Sequence, residues 1–344
     1  MTVAPPRDDT TALVGNATLS APGTQAPAHH AGHTAPGTDP WGENRNRTRR
    51  RAQRLARSRE LGWFVALLGP NLALILAFTY FPLVSNLYYS TLDWRLGSTN
   101  ARFVGLANYA EFLTSPQGLD VWRVTLVFTV VTVAASMLLG LGMSLVLHRN
   151  IPGRGLARTA VFAPYVLSGV GVGLVWNFIF DPNLGVLAHL LRTLGRESPQ
   201  WFLDPTLSLV MVIIVYVWKN VGFCTVVYLA GLQSVPSDLL EAAALDGAGP
   251  LRRFFSITLP LLGPTTFFLT VTTILNSMQA FDILRTMTPT GNGTNTMVFE
   301  IYLQSFGAYQ RAGYAAAISV VLFVVLLAVT AVQIRYVEKK VHYA

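Results

Sequence analysis

Apolar positions in this chain come in long blocks, without the alternation of a half-buried strand or the single stripe of a surface helix. From Leu61 onward, six stretches approach the about 20 residues that a helix needs to cross a bilayer. They run over roughly 62–84, 121–147, 159–180, 207–231, 265–284 and 313–334. Pro70 and Pro82 fall near the ends of the first, and Gly, Ser and Thr recur through the others, as expected where helices pack closely in lipid. The spacing Gly169-x-x-x-Gly173 in the third reads as ordinary helix packing. The pattern predicts an all-α, polytopic membrane protein with six transmembrane helices.

The blocks divide the chain into two parts. Residues 1–58 are dominated by Ala, Pro, Thr and Gly, have no apolar periodicity, and read as a disordered cytoplasmic tail. No apolar core follows a short basic start, so the tail is not a secretory signal peptide. Its His29, His30 and His33 lack the carboxylate or cysteine company of a metal site. Residues 59–344 form the transmembrane domain.

Composition agrees with the blocks. Of 344 residues 52% are hydrophobic and only 12% charged, with mean hydropathy +0.44, where soluble domains carry about 25% charged residues. The lone Cys224 excludes a disulfide framework. The net charge of +8 does not point to nucleic acid, because eight of the 25 Lys and Arg lie between Arg45 and Arg59, beside the first apolar block. With Arg149, Arg154, Arg158, Arg252, Arg253, Arg335, Lys339 and Lys340 they give sixteen basic residues on one side. The other side holds six: Arg95, Arg102, Arg192, Arg196, Arg285 and Arg311. Both termini of this multi-pass protein are therefore expected in the cytoplasm.

Loop 232–264 is cytoplasmic on this count, yet neither basic nor low in complexity. Pro236-Ser237-Asp238 reads as a helix start, with Glu241 three residues after Asp238 where a reciprocal cap can form. Gly247 and Gly249 stop that helix and Pro250 opens a second, about 250–258, with Leu251, Phe254, Phe255 and Thr258 near one face. Pro260 and Pro264 are expected to break the chain before it re-enters the membrane. A helix–turn–helix of this kind is a docking element or a lid packed beneath its own spans; well-formed loops favour the first.

Glu241-Ala242-Ala243, Asp246-Gly247-Ala248 and then Ile257, Leu259 and Pro260 resemble the EAA loop of binding-protein-dependent ABC importer permeases. Trp218-Lys219, Ala230-Gly231-Leu232-Gln233, Gln279 through Asp282, Tyr302 and Gly313 through Ala317 extend the likeness to the sugar and glycerophosphate branch, over about 60–344. Ala244 through Phe255 and the ending Gln333 through Val341 are most similar to A-type permease subunits of sn-glycerol-3-phosphate and glycerophosphodiester importers. One departure is Thr288-Pro289-Thr290-Gly291-Asn292-Gly293-Thr294, where many relatives carry Thr-x-Gly-Gly-Pro.

The resemblance implies a type I importer permease supplying half of a translocation path, with di- or oligosaccharides such as maltose or trehalose as the alternative cargo. It also implies a second homologous permease, an ABC ATPase dimer and an extracytoplasmic substrate-binding protein as partners. Glu241, Ala242, Ala243, Asp246, Gly247, Ile257, Leu259 and Pro260 would form the coupling element seated on the ATPase. The chain itself would bind no cofactor, ATP and Mg belonging to the ATPase subunits.

The residues bear on chemistry independently. None of the three lysines follows a glycine, so there is no phosphate-binding G-x-x-x-x-G-K-[ST] loop, and there is no H-E-x-x-H or G-x-S-x-G. The chain is not an enzyme on this reading; a membrane enzyme or a self-contained channel would need features that are missing. Lys219 falls mid-span, where a lysine costs about 2.5–3.5 kcal/mol on insertion scales, so it faces a cavity or a partner. Phosphate contact and an inter-helix role both fit it. Asn220, Asn276 and Gln279 are polar groups that line a path or bond between helices, and Asp282 lies toward the outer end of the fifth span, where water can hydrate it.

Overall fold

The computed structural model describes Phe64, residues 66–149 and residues 152–337. The 1–58 tail, the Arg45–Arg59 cluster, Lys339 and Lys340 lie outside the described residues. The chain divides into two compact units, residues 1–71 and 72–344. Of the first, only Phe64 and the helical residues from 66 on are described.

Helix α1 spans Ala66–Tyr89. It continues five residues past the predicted end because Pro82 does not stop it. A π turn at Leu76–Tyr80 precedes the proline, with the Phe81 N–H donating to the Leu76 carbonyl. Widening the turn removes the clash a proline ring makes with the carbonyl four residues back. A short hairpin follows, β1 (Leu92–Trp94) antiparallel to β2 (Ala101–Phe103), with Leu92 opposite Phe103. The Asn108 amide donates to the Ser90 and Leu92 carbonyls, both at 2.9 Å, and ties this hairpin to α2 (Ala107–Thr114).

The two longest helices form the centre. Helix α3 (Pro116–His148) begins at a Ser115 cap, whose hydroxyl accepts from the Gly118 N–H at 3.1 Å. Helix α7 (Pro205–Gln233) begins at Asp204, whose carboxylate accepts from the Thr206 and Leu207 N–H groups. Each has proline in its first turn, where the missing N–H is no loss. Their buried Thr125, Thr132 and Thr225 hydroxyls bond carbonyls of their own helix four residues back, so these three polar side chains sit in the packed interior with their protons satisfied.

The third predicted span is not one helix. It is α4 (Arg154–Val166) followed by α5 (Gly169–Phe180), bent by 100°. Leu167 and Ser168 are extended, with ψ of 147° and 134°. Pro164 weakens the last turn of α4, and Gly169 reopens the helix. Among the described residues five helices are thus long and apolar enough to span a membrane, or six if the bent pair counts as one span. The fifth, predicted as 265–284, is α10 (Gly263–Met278) and α11 (Asp282–Met287) around a non-helical Gln279–Phe281. The Gly169/Gly173 spacing does serve packing: a Cβ on Gly173 would fall 2.8 Å from the Thr286 Cβ of α11, and the Asn177 amide donates to the Thr286 carbonyl at 3.0 Å.

The blocks gave no sign of the elements between spans. Asp181 follows α5, and N–H donation from Leu184 and Asn183 to its carboxylate (both 2.8 Å) holds its carboxyl below the ordinary carboxylate range. Next come α6 (Val186–Thr193) and, beyond the fifth span, α12 (Met297–Phe306). The 288–294 departure is an ordered turn, with the Asn292 amide donating to the Phe202 and Leu203 carbonyls at 3.0 and 3.1 Å. The last span, α13, is Ala312–Val337; just ahead of it, Arg311 grips Glu111 of α2 with both guanidinium nitrogens, at 2.8 and 2.6 Å.

Glu300 of α12 is buried at 2% exposure and accepts from three amides: Gln117 of α3 at 2.9 Å, Asn295 at 2.9 Å and Gln304 at 2.7 Å. Removing it leaves three donors without an acceptor. Glu300→Ala is expected to destabilise the chain by about 2–4 kcal/mol, read as a fall of several degrees in thermal midpoint, with Glu300→Gln intermediate because it keeps one acceptor oxygen.

Candidate translocation cavity and coupling loop

The breaks in the third and fifth spans open onto the same space. A cavity of about 450 Å³ lies between the end of α4, the start of α5, the middle of α7 and the Gln279–Phe281 break. All five polar residues singled out in the sequence line it: Lys219 and Asn220 from α7, Asn276 from α10, Gln279 at the break and Asp282 at the start of α11. Tyr165, Gly169, Tyr216 and Phe281 supply much of the remaining wall. Chain breaks at such depth are tolerated where they line a cavity.

The five do not share one role. The Lys219 ammonium donates to the Tyr165 carbonyl at 2.7 Å and lies 5.3 Å from the Tyr165 ring centre. That carbonyl belongs to the last turn of α4, where helix carbonyls lack partners and the dipole is negative. Lys219 therefore caps the broken helix and borders the cavity at once. Asn220 bonds its own helix, donating to the Tyr216 carbonyl at 2.8 Å. Asn276, Gln279 and Asp282 present exposed side chains to the cavity. Asp282 also packs against the α5 start, where a Cβ on Gly169 would fall 2.8 Å from its own.

Sequence reasoning missed the aromatic members. Phe281 joins the cavity wall to an outer cluster, 5.1 Å from the Tyr302 ring, and Arg285 lies over that same ring at 5.2 Å. Tyr165 stacks on Phe223 at 5.0 Å. Single apolar residues inside apolar blocks carry no pattern that marks them as wall.

The loop after α7 is a helical pair, α8 (Ser237–Leu245) and α9, the latter running through Pro250–Arg253, a π turn at Phe254–Thr258, and Leu259–Leu261. The Asp238–Glu241 reciprocal cap is not formed. The N-cap is Pro236, which puts Glu241 past the first turn, out of reach of the free N–H groups; Asp238 still lies in that turn and favours the dipole. The C-terminal stop is as expected. Gly247 has φ +79°, its N–H donates to the Ala244 carbonyl at 3.1 Å, and the Ala248 N–H reaches back to Ala243 at 2.9 Å, a Schellman closure.

Two expectations for α9 need correction. Pro260 does not break the chain: as at Pro82, a π turn ends two residues before it, with the Leu259 N–H donating to the Phe254 carbonyl. The break falls at Leu262, and Pro264 sits in the first turn of α10. Nor do Leu251, Phe254, Phe255 and Thr258 share one environment. Leu251 and Phe255 point outward at 73% and 60% exposure, whereas Thr258 is buried and Phe254 half-buried. Leu245 adds a 90% exposed side chain at the tip. Arg253 links the two helices through the Leu240 carbonyl at 3.4 Å, and fully buried Leu262 anchors the base among Cys224, Tyr228 and Leu269. Glu241, Ala242, Asp246, Gly247 and Pro260 are exposed; Ala243, Ile257 and Leu259 are half-buried. The loop thus presents exposed apolar side chains above a buried anchor at Leu262.

A bundle of membrane-length helices, two of its spans broken around a polar cavity, with an exposed helical loop after α7, has the make-up of a multi-pass permease component. Residues 136–343 match the family described as "Binding-protein-dependent transport system inner membrane component". Relatives include the sn-glycerol-3-phosphate transport system permease protein UgpA of Agrobacterium fabrum, 37% identical over 80% of this chain and 95% of its own length. The protein of the same name from Brucella abortus is 36% identical over 81% and 95%. A bacterial ABC transporter that imports the acidic polysaccharide alginate has the same fold, with TM-score 0.69 at 23% identity over 82% of this chain and 99% of its own. The chain belongs to the binding-protein-dependent inner membrane component family of ABC importer permeases.

Proposed function

We propose that this chain forms half of the translocation path of an ATP-driven importer for sn-glycerol-3-phosphate or glycerophosphodiesters. The observation that carries the path is the cavity where the two broken spans meet, bordered by Lys219 and by the free polar side chains of Asn276 and Gln279. The cargo rests on relatives at 32–37% identity named for sn-glycerol-3-phosphate transport, and a cation beside two amides suits a phosphate ester. Maltose or trehalose has no such support.

In this reading a second, homologous permease supplies the other half and a substrate-binding protein delivers the solute. Two ATPase subunits hold ATP and Mg and receive the exposed face of α8 and α9, with both termini on their side. Glu241, Asp246 and Gly247 belong to that contact, together with the exposed Leu245, Leu251 and Phe255. Closure of the ATPases then rocks the spans, a coupling that requires the contact to differ between states. The test is vesicle uptake by the reconstituted importer with its own binding protein. ATP-dependent accumulation of labelled sn-glycerol-3-phosphate, not competed by maltose or trehalose, is expected; uptake of sugar alone would overturn the cargo assignment.

A further inference from the structure

A second large hollow lies on the other side of α3. About 410 Å³ in volume, it is floored by Val124, Val127 and Val131 of α3 and by Leu209, Val210 and Ile213 of α7, with Asp120 and Arg123 at one end. It shares no lining residue with the translocation cavity. At 3.6 residues per turn, Val127 and Val131 lie on the face of α3 opposite Thr132 and Ser136, which adjoin the narrow polar recess continuing from the central cavity. Val127, Val131 and Val210 are each exposed by 40–42%, so the hollow opens on the apolar outer surface.

We propose that this groove holds an acyl chain of one zwitterionic phosphoglyceride, with its phosphate on Arg123 and its ammonium on Asp120. Length and charge carry the assignment. From Asp120 to Val131 the groove follows eleven residues of helix, about 16 Å at 1.5 Å per residue. That matches one leaflet, half of a hydrocarbon core about 30 Å thick; a spanning helix of a partner subunit would need a trough twice as long. The ends also differ. Apart from Thr206 the walls are apolar, and the charges among the lining residues, Asp120 and Arg123, stand at one end. There the Arg123 and Asp120 side chains are 79% and 57% exposed and 3.8 Å apart, too far for a hydrogen bond with each other. This exposed, loosely paired couple of opposite charges at the rim complements a phosphate and an amine on one molecule. A purely anionic headgroup would set its charge beside Asp120.

The test uses the assembled importer in detergent, incubated with phosphatidylethanolamine or phosphatidylglycerol and weighed intact by native mass spectrometry. Wild type is expected to retain at least threefold more phosphatidylethanolamine than phosphatidylglycerol. Val127→Trp, which fills the groove, should lose one bound lipid per copy of this chain, and Arg123→Gln, a surface change, should abolish the preference. A photoreactive residue at Val131 should attach to lipid in intact membranes. Equal retention of the two lipids, retention unchanged in Val127→Trp, or attachment at Val131 to the second permease in place of lipid would each overturn the proposal.

Discussion

Gly247→Val is expected to leave the spans inserted and to abolish coupled transport. At φ +79° the residue is in the left-handed region, where a side chain costs about 1–2 kcal/mol and a β-branched one more. No atom lies within 4 Å of where its Cβ would be, so the penalty is purely of the backbone and falls on the α8–α9 turn. Relieving it opens the closure to Ala243 and Ala244 and swings exposed Leu245 and Leu251 relative to each other. The buried anchor at Leu262 is untouched, which is why the bundle should survive. The measured result should be a membrane-resident complex that binds ATPase weakly, or hydrolyses ATP with uptake reduced at least tenfold. Gly247→Asn, which tolerates the left-handed region, should retain most transport and separates backbone conformation from mere loss of glycine. A cysteine at Ala243 should crosslink to one in the ATPase groove in wild type. Normal uptake by Gly247→Val, or no crosslink in any nucleotide state, would remove the coupling role from this loop.

What the sequence disclosed and what it concealed divide along physical lines. Long apolar blocks report burial in lipid, so the spans were legible to within a few residues. The stop at Gly247 was legible because positive φ has a residue signature. The breaks inside spans were not, because hydropathy is blind to backbone direction. The bend at Leu167–Ser168 keeps an apolar composition through a 100° turn, and its only local signs are Pro164 and Gly169. Conversely, Pro82 and Pro260 look like breaks and are not, since a preceding π turn absorbs each. Asp282, expected to be hydrated at the outer end of its span, also lines the cavity. A polar residue in an apolar block pointed to the wall at Lys219, Asn220, Asn276 and Gln279, because burying such a group against lipid is costly. It could not say whether the group faces solute or a neighbouring helix. The tertiary partners, the Tyr165 carbonyl for Lys219 and the Tyr216 carbonyl for Asn220, decide that. Glu300 escaped for the same reason: beside the local Asn295 and Gln304 amides, the donor that ties it to the bundle, Gln117 of α3, is distant in the chain.

Lys219→Ala is expected to reduce uptake at least tenfold while the complex still assembles, and the size of the loss should depend on cargo charge. Two consequences follow from the geometry. The Tyr165 carbonyl at the end of α4 loses its donor, which loosens the bend between α4 and α5 for any solute. The cavity also loses its lining cation, leaving Asp282 as the charged group of the wall, and this acts only on anions. An ammonium has three N–H bonds; with one given to Tyr165, two remain for a phosphate oxygen. sn-Glycerol-3-phosphate, close to doubly charged near neutral pH, should therefore suffer more than a glycerophosphodiester with one negative charge. Lys219→Gln keeps a donor of similar reach without charge. If it restores the bend, it should recover diester uptake more fully than phosphate-monoester uptake. Uptake by the reconstituted importer, measured for both solutes at saturating binding protein, reads the difference. Equal losses for the two solutes in both variants would confine Lys219 to capping α4 and leave the phosphate to the amides of Asn276 and Gln279.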